Sequence, residues 1–133
     1  MSVGILIITH GRIGRELLDT ATALLGNRPL LCKVLPVAID SDVDEVTGVM
    51  RTLRGELDQG QGVLVLTDMY GSTPSNLANF LGSDPAVRVI AGINLPMLIR
   101  VLNYPQLSLD ELSDKAVSGG KEGVFPCASR QHA

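Results

Sequence analysis

Val3-Gly4-Ile5-Leu6-Ile7-Ile8-Thr9-His10-Gly11 is the stretch whose reading decides the fold. Residues 3–8 form an unbroken apolar, β-branched run that ends in a polar tip. Such a run fits a strand buried on both faces of a parallel sheet better than the alternating pattern of a half-exposed strand. His10 then falls where the strand emerges, at the carboxyl edge where open α/β sheets place their ligands. Gly11 permits a sharp turn there and leaves room for an approaching group.

The chain outward from this strand repeats the same alternation. Ile13, Leu17, Ala21, Leu24 and Leu25 recur at helical spacing, and Gly26-Asn27 supplies a stop signal. Leu30 to Val37 reads as a second strand. Asp40-Ser41-Asp42 offers a cap for a second helix, in which Val43, Val46, Met50, Leu53 and Leu57 form an apolar stripe. Val63 to Thr67-Asp68 is a third strand with a polar tip, and Gly71-Ser72-Thr73-Pro74 opens a short helix with Pro at its first turn. Val87 to Ala91 is a fourth strand, ending in Gly92-Ile93-Asn94. Two more helices follow, through Leu95–Leu102 and from the Ser108/Glu111 capping box to a predicted stop at Gly119-Gly120. Strands alternating with helices predict an α/β fold: an open, mostly parallel sheet of four strands with helices on both faces. An antiparallel edge strand through Val124 and Phe125 is a further expectation. The reading gives one domain over residues 1–125 and a flexible tail over 126–133, which includes His132.

Composition narrows the function. The 133 residues are 45% apolar and 19% charged, with a net charge of −3 and no basic run. That balance argues against a nucleic-acid binder, and 3% aromatic residues without Trp leave no base-stacking platform. No apolar stretch is long enough to span a bilayer, and the first strand lacks the flanks of a signal peptide. Cys32 and Cys127 show no metal-ligand spacing and read as free thiols of a cytoplasmic protein. The P-loop, the dinucleotide glycine fingerprint and the serine-hydrolase elbow are all absent, so no metal or nucleotide cofactor is expected.

Three strand tips share one sheet edge: Thr9-His10-Gly11, Thr67-Asp68 and Gly92-Ile93-Asn94. Strands about 4.8 Å apart let His10 and Asp68 meet across neighbours. A carboxylate that takes a hydrogen bond from one ring nitrogen fixes the tautomer and leaves the other nitrogen as a nucleophile. An imidazole in water titrates near about 6.5, so its neutral form is available at cytosolic pH. The Gly71-Ser72-Thr73 turn adds hydroxyls and backbone donors that suit an anion. Each feature alone has an ordinary explanation: an exposed histidine, a turn-capping aspartate, a good helix start. Their convergence on one edge points to a phosphoryl-accepting histidine.

These residues resemble the mannose-family EIIA domain of the bacterial phosphoenolpyruvate-dependent sugar phosphotransferase system (PTS) over roughly residues 2–124. The resemblance rests on Thr9-His10-Gly11, on the run from Leu66-Thr67-Asp68 through Met69-Tyr70-Gly71-Ser72-Thr73-Pro74 to Ser75-Asn76, on Ala91 to Leu98, and on Gly120 to Val124. It implies a phosphocarrier in which His10 accepts a phosphoryl group from phospho-HPr and passes it to an EIIB component during sugar uptake. Asp68 would orient His10, and Thr9, Gly11, Thr67, Gly71, Ser72 and Thr73 are the candidate phosphate-binding residues. The family loop commonly reads Gly-Gly-Ser-Pro where this chain has Gly71-Ser72-Thr73-Pro74, which leaves open whether Ser72 or Thr73 holds the phosphate. The resemblance further implies a homodimer formed by exchange of an edge strand, placed here at Val124-Phe125, and no insertion into the membrane. Because the sequence ends soon after this pattern, the expected EIIB is a separate protein. A regulatory EIIA-like protein, whose phosphorylated His10 controls a partner without sugar transport, is the alternative. A flavodoxin-like ligand-binding module without phosphotransfer is a third reading.

Overall fold

A computed structural model describes residues 2–128 of the chain. The elements run β1 (Gly4–His10), α1 (Ile13–Leu25), β2 (Cys32–Val37), α2 (Val43–Leu57), β3 (Val63–Thr67), α3 (Thr73–Asn79), β4 (Val87–Ala91), α4 (Leu95–Leu102) and α5 (Leu109–Glu122). The four strands form one sheet in the order β2-β1-β3-β4, with every neighbouring pair parallel. The expected four-stranded α/β architecture is therefore present.

The continuous apolar strands are continuous because both faces are covered. Ile5 and Ile7 of β1, with Leu64 and Leu66 of β3, pack into one core under α1, α4 and α5. Leu6 and Ile8, with Val63 and Val65, pack into a second core under α2 and α3. Residues alternate between the two sides with the period of the strand. Burial of each such Leu or Ile side chain is worth about 1.5–3 kcal/mol. Cys32 joins the first core, where burial pushes its thiol up to about 11 despite an opposing effect of Arg28. It is a protonated packing residue, whereas Cys127 is exposed.

Three details differ from the sequence reading. Val124 and Phe125 form no strand, and among the described residues β4 pairs only with β3. Both side chains are exposed, at 74% and 68%, so nothing within the described chain rewards their ordering into a ladder. Gly119-Gly120 do not stop α5, which continues to Glu122. A Cβ on Gly119 would lie 2.6 Å from Cβ of Arg100, and one on Gly120 would lie 2.8 Å from Cε of Met97. The two glycines let α5 press directly on α4. On α1, Leu18 and Ala21 point inward, whereas Ile13 and Leu24 stand 50% and 66% exposed. The expected tail falls mainly outside the described residues: 126–128 are irregular, and His132 lies beyond them.

Strand order positions the site. From β1 the chain moves outward to β2, and from β3 it moves the other way to β4. The reversal lies between β1 and β3, and it is at such a switch point that open α/β sheets leave a crevice at the carboxyl edge. His10 ends β1 and Asp68 directly follows β3.

Candidate functional site

His10 and Asp68 meet at this crevice. The register that sets Ile8 beside Thr67 carries the next residues of both strands into contact. Oδ2 of Asp68 accepts two hydrogen bonds from the same residue: the His10 backbone amide donates at 3.0 Å, and ring Nδ1 lies at 2.8 Å. Oδ1 accepts from the Met69 amide at 2.9 Å. Burial pushes the Asp68 carboxyl up, but the His10 amide, the His10 ring and the Met69 amide outweigh it and hold the group below its ordinary value. An ionised carboxylate only accepts, so the His10 proton belongs on Nδ1. Nε2 then keeps its lone pair, on a side chain that is 42% exposed, whereas the Asp68 side chain is 13% exposed. The pair is a nucleophile facing outward and an anchor held inward.

Backbone geometry fixes the mount. The Gly11 amide donates to the Val37 carbonyl at 3.0 Å, which ties the exit of β1 to β2. Gly11 has φ +47° and Gly71 φ +84°, both in the left-handed region that disfavours side chains. Each lets its strand turn abruptly into the following helix.

The six candidate phosphate-binding residues fall into different environments. Thr9 is fully buried, and its hydroxyl accepts from the Gly14 amide at 2.8 Å, so the side chain anchors the start of α1 beneath the site. The Gly11 amide is engaged with Val37, and the Gly71 amide donates to Ser75 Oγ at 3.3 Å. Thr67 is also fully buried; its carbonyl accepts from the Gly92 and Ile93 amides, while its hydroxyl has no partner. Ser72 is the N-cap of α3: its hydroxyl donates to the Met69 carbonyl at 2.6 Å and accepts from the Ser75 amide at 3.5 Å. The Thr73 hydroxyl enters none of these bonds and is exposed. Of the six, Thr73 is the one whose side chain combines exposure with an unengaged hydroxyl.

Asn94, read from the sequence as a third polar tip, serves structure instead. Its Oδ1 accepts from the Met97 amide at 2.9 Å, and its Nδ2 donates to the Gly120 carbonyl at 3.1 Å. One side chain thus caps the start of α4 and the end of α5. Sequence reasoning passed over Ile39, Met69 and Tyr70, in the loops after β2 and β3, which stand 105%, 60% and 80% exposed. Their signal was visible only as apolar residues inside loops. Among the described residues, no three His, Cys, Asp or Glu side chains group closely enough to hold a metal ion, and no helix is long and apolar enough to cross a membrane.

Comparisons place this chain among known proteins. The family described as "PTS system fructose IIA component" matches residues 4–117. The chain is 35% identical over 127 residues to the PTS system mannose-specific EIIAB component of Escherichia coli, covering 93% of this chain and 39% of that protein. It is 24% identical over 128 residues to the PTS system fructose-specific EIIA component of Bacillus subtilis, covering 95% of this chain and 87% of that one. The mannose/sorbose-specific IIA subunit from Enterococcus faecalis superposes with a TM-score of 0.85 at 26% identity, over 96% of both chains.

Proposed function

The chain belongs to the fructose- and mannose-type IIA family of the PTS, and we propose that it is a phosphocarrier working through His10. On this reading His10 takes a phosphoryl group from phospho-HPr and delivers it to an EIIB component for sugar uptake, in the cytoplasm. The observation that carries it is the Asp68 carboxylate bound to Nδ1 of His10, which reserves Nε2 for attack at an open sheet edge.

The donor's nitrogen–phosphorus bond breaks as a bond from phosphorus to His10 Nε2 forms. The donor imidazole leaves with the electron pair, and His10 keeps its proton on Nδ1, facing Asp68. Delivery to EIIB reverses the roles. The domain contributes alignment and a fixed tautomer rather than covalent chemistry of its own. Thr73, with its exposed hydroxyl, is the side chain of the α3 turn best disposed to donate to a phosphoryl oxygen on His10. Ser72 supports the turn through its cap.

The same reading includes a homodimer in which Val124-Phe125 of each copy pairs with β4 of the other. A strand donated to a partner is expected to remain unpaired in the single chain. The phosphocarrier role is tested by incubating the purified protein with phosphoenolpyruvate, enzyme I and HPr and weighing it intact. The expected result is an acid-labile gain of one phosphoryl group in the wild type and none in His10→Ala. No gain in the wild type would overturn the reading. A stable phosphorylated form that no EIIB can discharge would favour the regulatory alternative.

A further inference from the structure

We propose that Arg12 is a phosphoryl-binding residue of this chain, whose guanidinium leaves Glu16 and donates to oxygens of the phosphoryl group on His10 Nε2. This rests on the phosphocarrier reading and adds to it the cation that offsets the transferred charge.

The charge around His10 calls for such a group. Four loops follow the strands at the carboxyl edge, residues 11–12, 38–42, 68–72 and 92–94. They hold three carboxylates, Asp40, Asp42 and Asp68, against one cation, Arg12. Lys121, at the end of α5, lines the cleft beside β4, two strands from β1. A phosphoryl group adds about two more negative charges to this edge. Thr73 can give that group a hydrogen bond but no charge. Two steps of about 3.8 Å keep the Arg12 Cα within about 7.6 Å of the His10 Cα, inside the reach of a long, flexible side chain.

The place of Arg12 in its helix is the second observation. It is the N-cap of α1, a position that favours Ser, Thr, Asp or Asn, and its side chain makes no capping bond. The positive end of the helix dipole also lies there, so an arginine has the wrong sign for the resting helix. What holds the guanidinium is Glu16 Oε1 at 3.1 Å, in a pair whose side chains are 80% and 65% exposed. So exposed a pair contributes little and exchanges readily for another anion. Arg12 is thus a local liability two residues from the acceptor histidine. The liability reverses once a dianion sits on His10, because the guanidinium and the helix end both attract it. The planar fork of arginine matches two phosphoryl oxygens. Nothing covalent passes through Arg12: phosphorus leaves the donor nitrogen for His10 Nε2, and the guanidinium only donates hydrogen bonds.

The test uses two donors on the full chain. Phospho-HPr must dock, whereas phosphoramidate, whose nitrogen leaves as ammonia, brings only the phosphoryl group. With either donor, kcat/KM of Arg12→Ala and Arg12→Gln is expected to fall about tenfold, the worth of one hydrogen bond to a charged group. Arg12→Lys should recover part of the rate, since it keeps the charge without the fork. Guanidinium ion added to Arg12→Ala should restore the rate and leave the wild type unchanged. Glu16→Gln, which releases the guanidinium, should match or exceed the wild type. Arg12→Ser introduces a better cap, so the urea midpoint of the unphosphorylated protein should hold or rise while phosphorylation slows. An arginine with a merely structural role would not produce that opposition. Unchanged phosphoramidate rates in Arg12→Ala would overturn the inference, and a loss confined to phospho-HPr would do so by assigning Arg12 to contact with the donor protein. So would a loss in Glu16→Gln as deep as in Arg12→Ala, because the ion pair itself would then be what matters. A wild type that neither donor labels would overturn the phosphocarrier reading, whereas a labelled wild type with indifferent Arg12 variants would overturn only the inference.

Discussion

Asp68 accepts three hydrogen bonds, and replacing it separates two jobs that the carboxylate performs together. In Asp68→Asn a carbonyl oxygen can still accept from one amide, but the negative charge that keeps the proton on His10 Nδ1 is gone. The ring then divides between tautomers, and only one of them presents Nε2 as a nucleophile. The expected loss in the rate of phosphorylation is about 10- to 100-fold, as for other groups that orient a reactive histidine. Nitrogen-resolved NMR of the imidazole should show Nδ1–H in the wild type and a mixture in the variant. The same pair predicts a pH dependence of folding. The folded carboxyl titrates below the unfolded one, so its contribution to stability is present above the ordinary carboxylate range and disappears as pH falls through the folded value. Urea denaturation of wild type and Asp68→Asn should therefore converge on acidification. His10 and Asp68 were legible in the sequence because side-chain type and strand position suffice to bring them together. The engagement of Thr9, Gly11 and Ser72 was not legible, because their partners are backbone groups that any residue supplies.

At the scale of elements, the start of α3 shows how one motif can hold two roles. Ser72 and Thr73 are adjacent hydroxyls ahead of Pro74, and the sequence could not rank them. In the helix Ser72 is engaged in the cap, and Thr73 is exposed and enters none of the site's hydrogen bonds. Ser72→Ala is accordingly expected to cost about 1 kcal/mol in chemical denaturation, the usual worth of an N-cap. Thr73→Val should leave stability within about 0.5 kcal/mol, as is usual at exposed positions. Phosphohistidine lifetime or phosphorylation rate should respond in the opposite order, with Thr73→Val the more damaging; the reverse order would assign the phosphate to Ser72. Helix existence was readable throughout, since caps and apolar spacing are local. The misreadings came from contacts between elements. A glycine pair signals a helix end in local statistics, yet Gly119-Gly120 lie inside α5 because α4 needs the space. Asn94 looked like a third site tip, but its two hydrogen bonds join α4 to α5. On the inward face of α1, Gly14 donates to the Thr9 hydroxyl, a contact that no periodicity reveals.

Across the whole molecule, the two open edges of the sheet are treated differently. β2 carries exposed Lys33 and exposed Pro36 on its short length, both of which oppose pairing with a further strand. β4 reads Val-Arg-Val-Ile-Ala without a proline or lysine. Arg88 guards only its beginning, donating to the Pro85 and Val87 carbonyls. Beside the far half of β4 lies an open cleft of about 570 Å³, lined mainly by apolar atoms of Ile90, Ala91, Met97, Val117 and Val124. This is the edge that the proposed homodimer would extend, with the exposed Val124-Phe125 segment of a second copy. Replacing both by aspartate changes side chains that are 74% and 68% exposed, so the monomer's unfolding free energy should move by no more than about 0.5 kcal/mol. The proposed dimer should lose affinity, because each aspartate would have to leave water for a groove lined mainly by apolar atoms, in which Lys121 is the one charged residue. Sedimentation equilibrium of wild type and the Val124→Asp/Phe125→Asp variant reads this directly: a concentration-dependent dimer in the first and a monomer in the second. A variant as dimeric as wild type would mean that the copies associate elsewhere, and β4 would then be an edge that Arg88 alone protects.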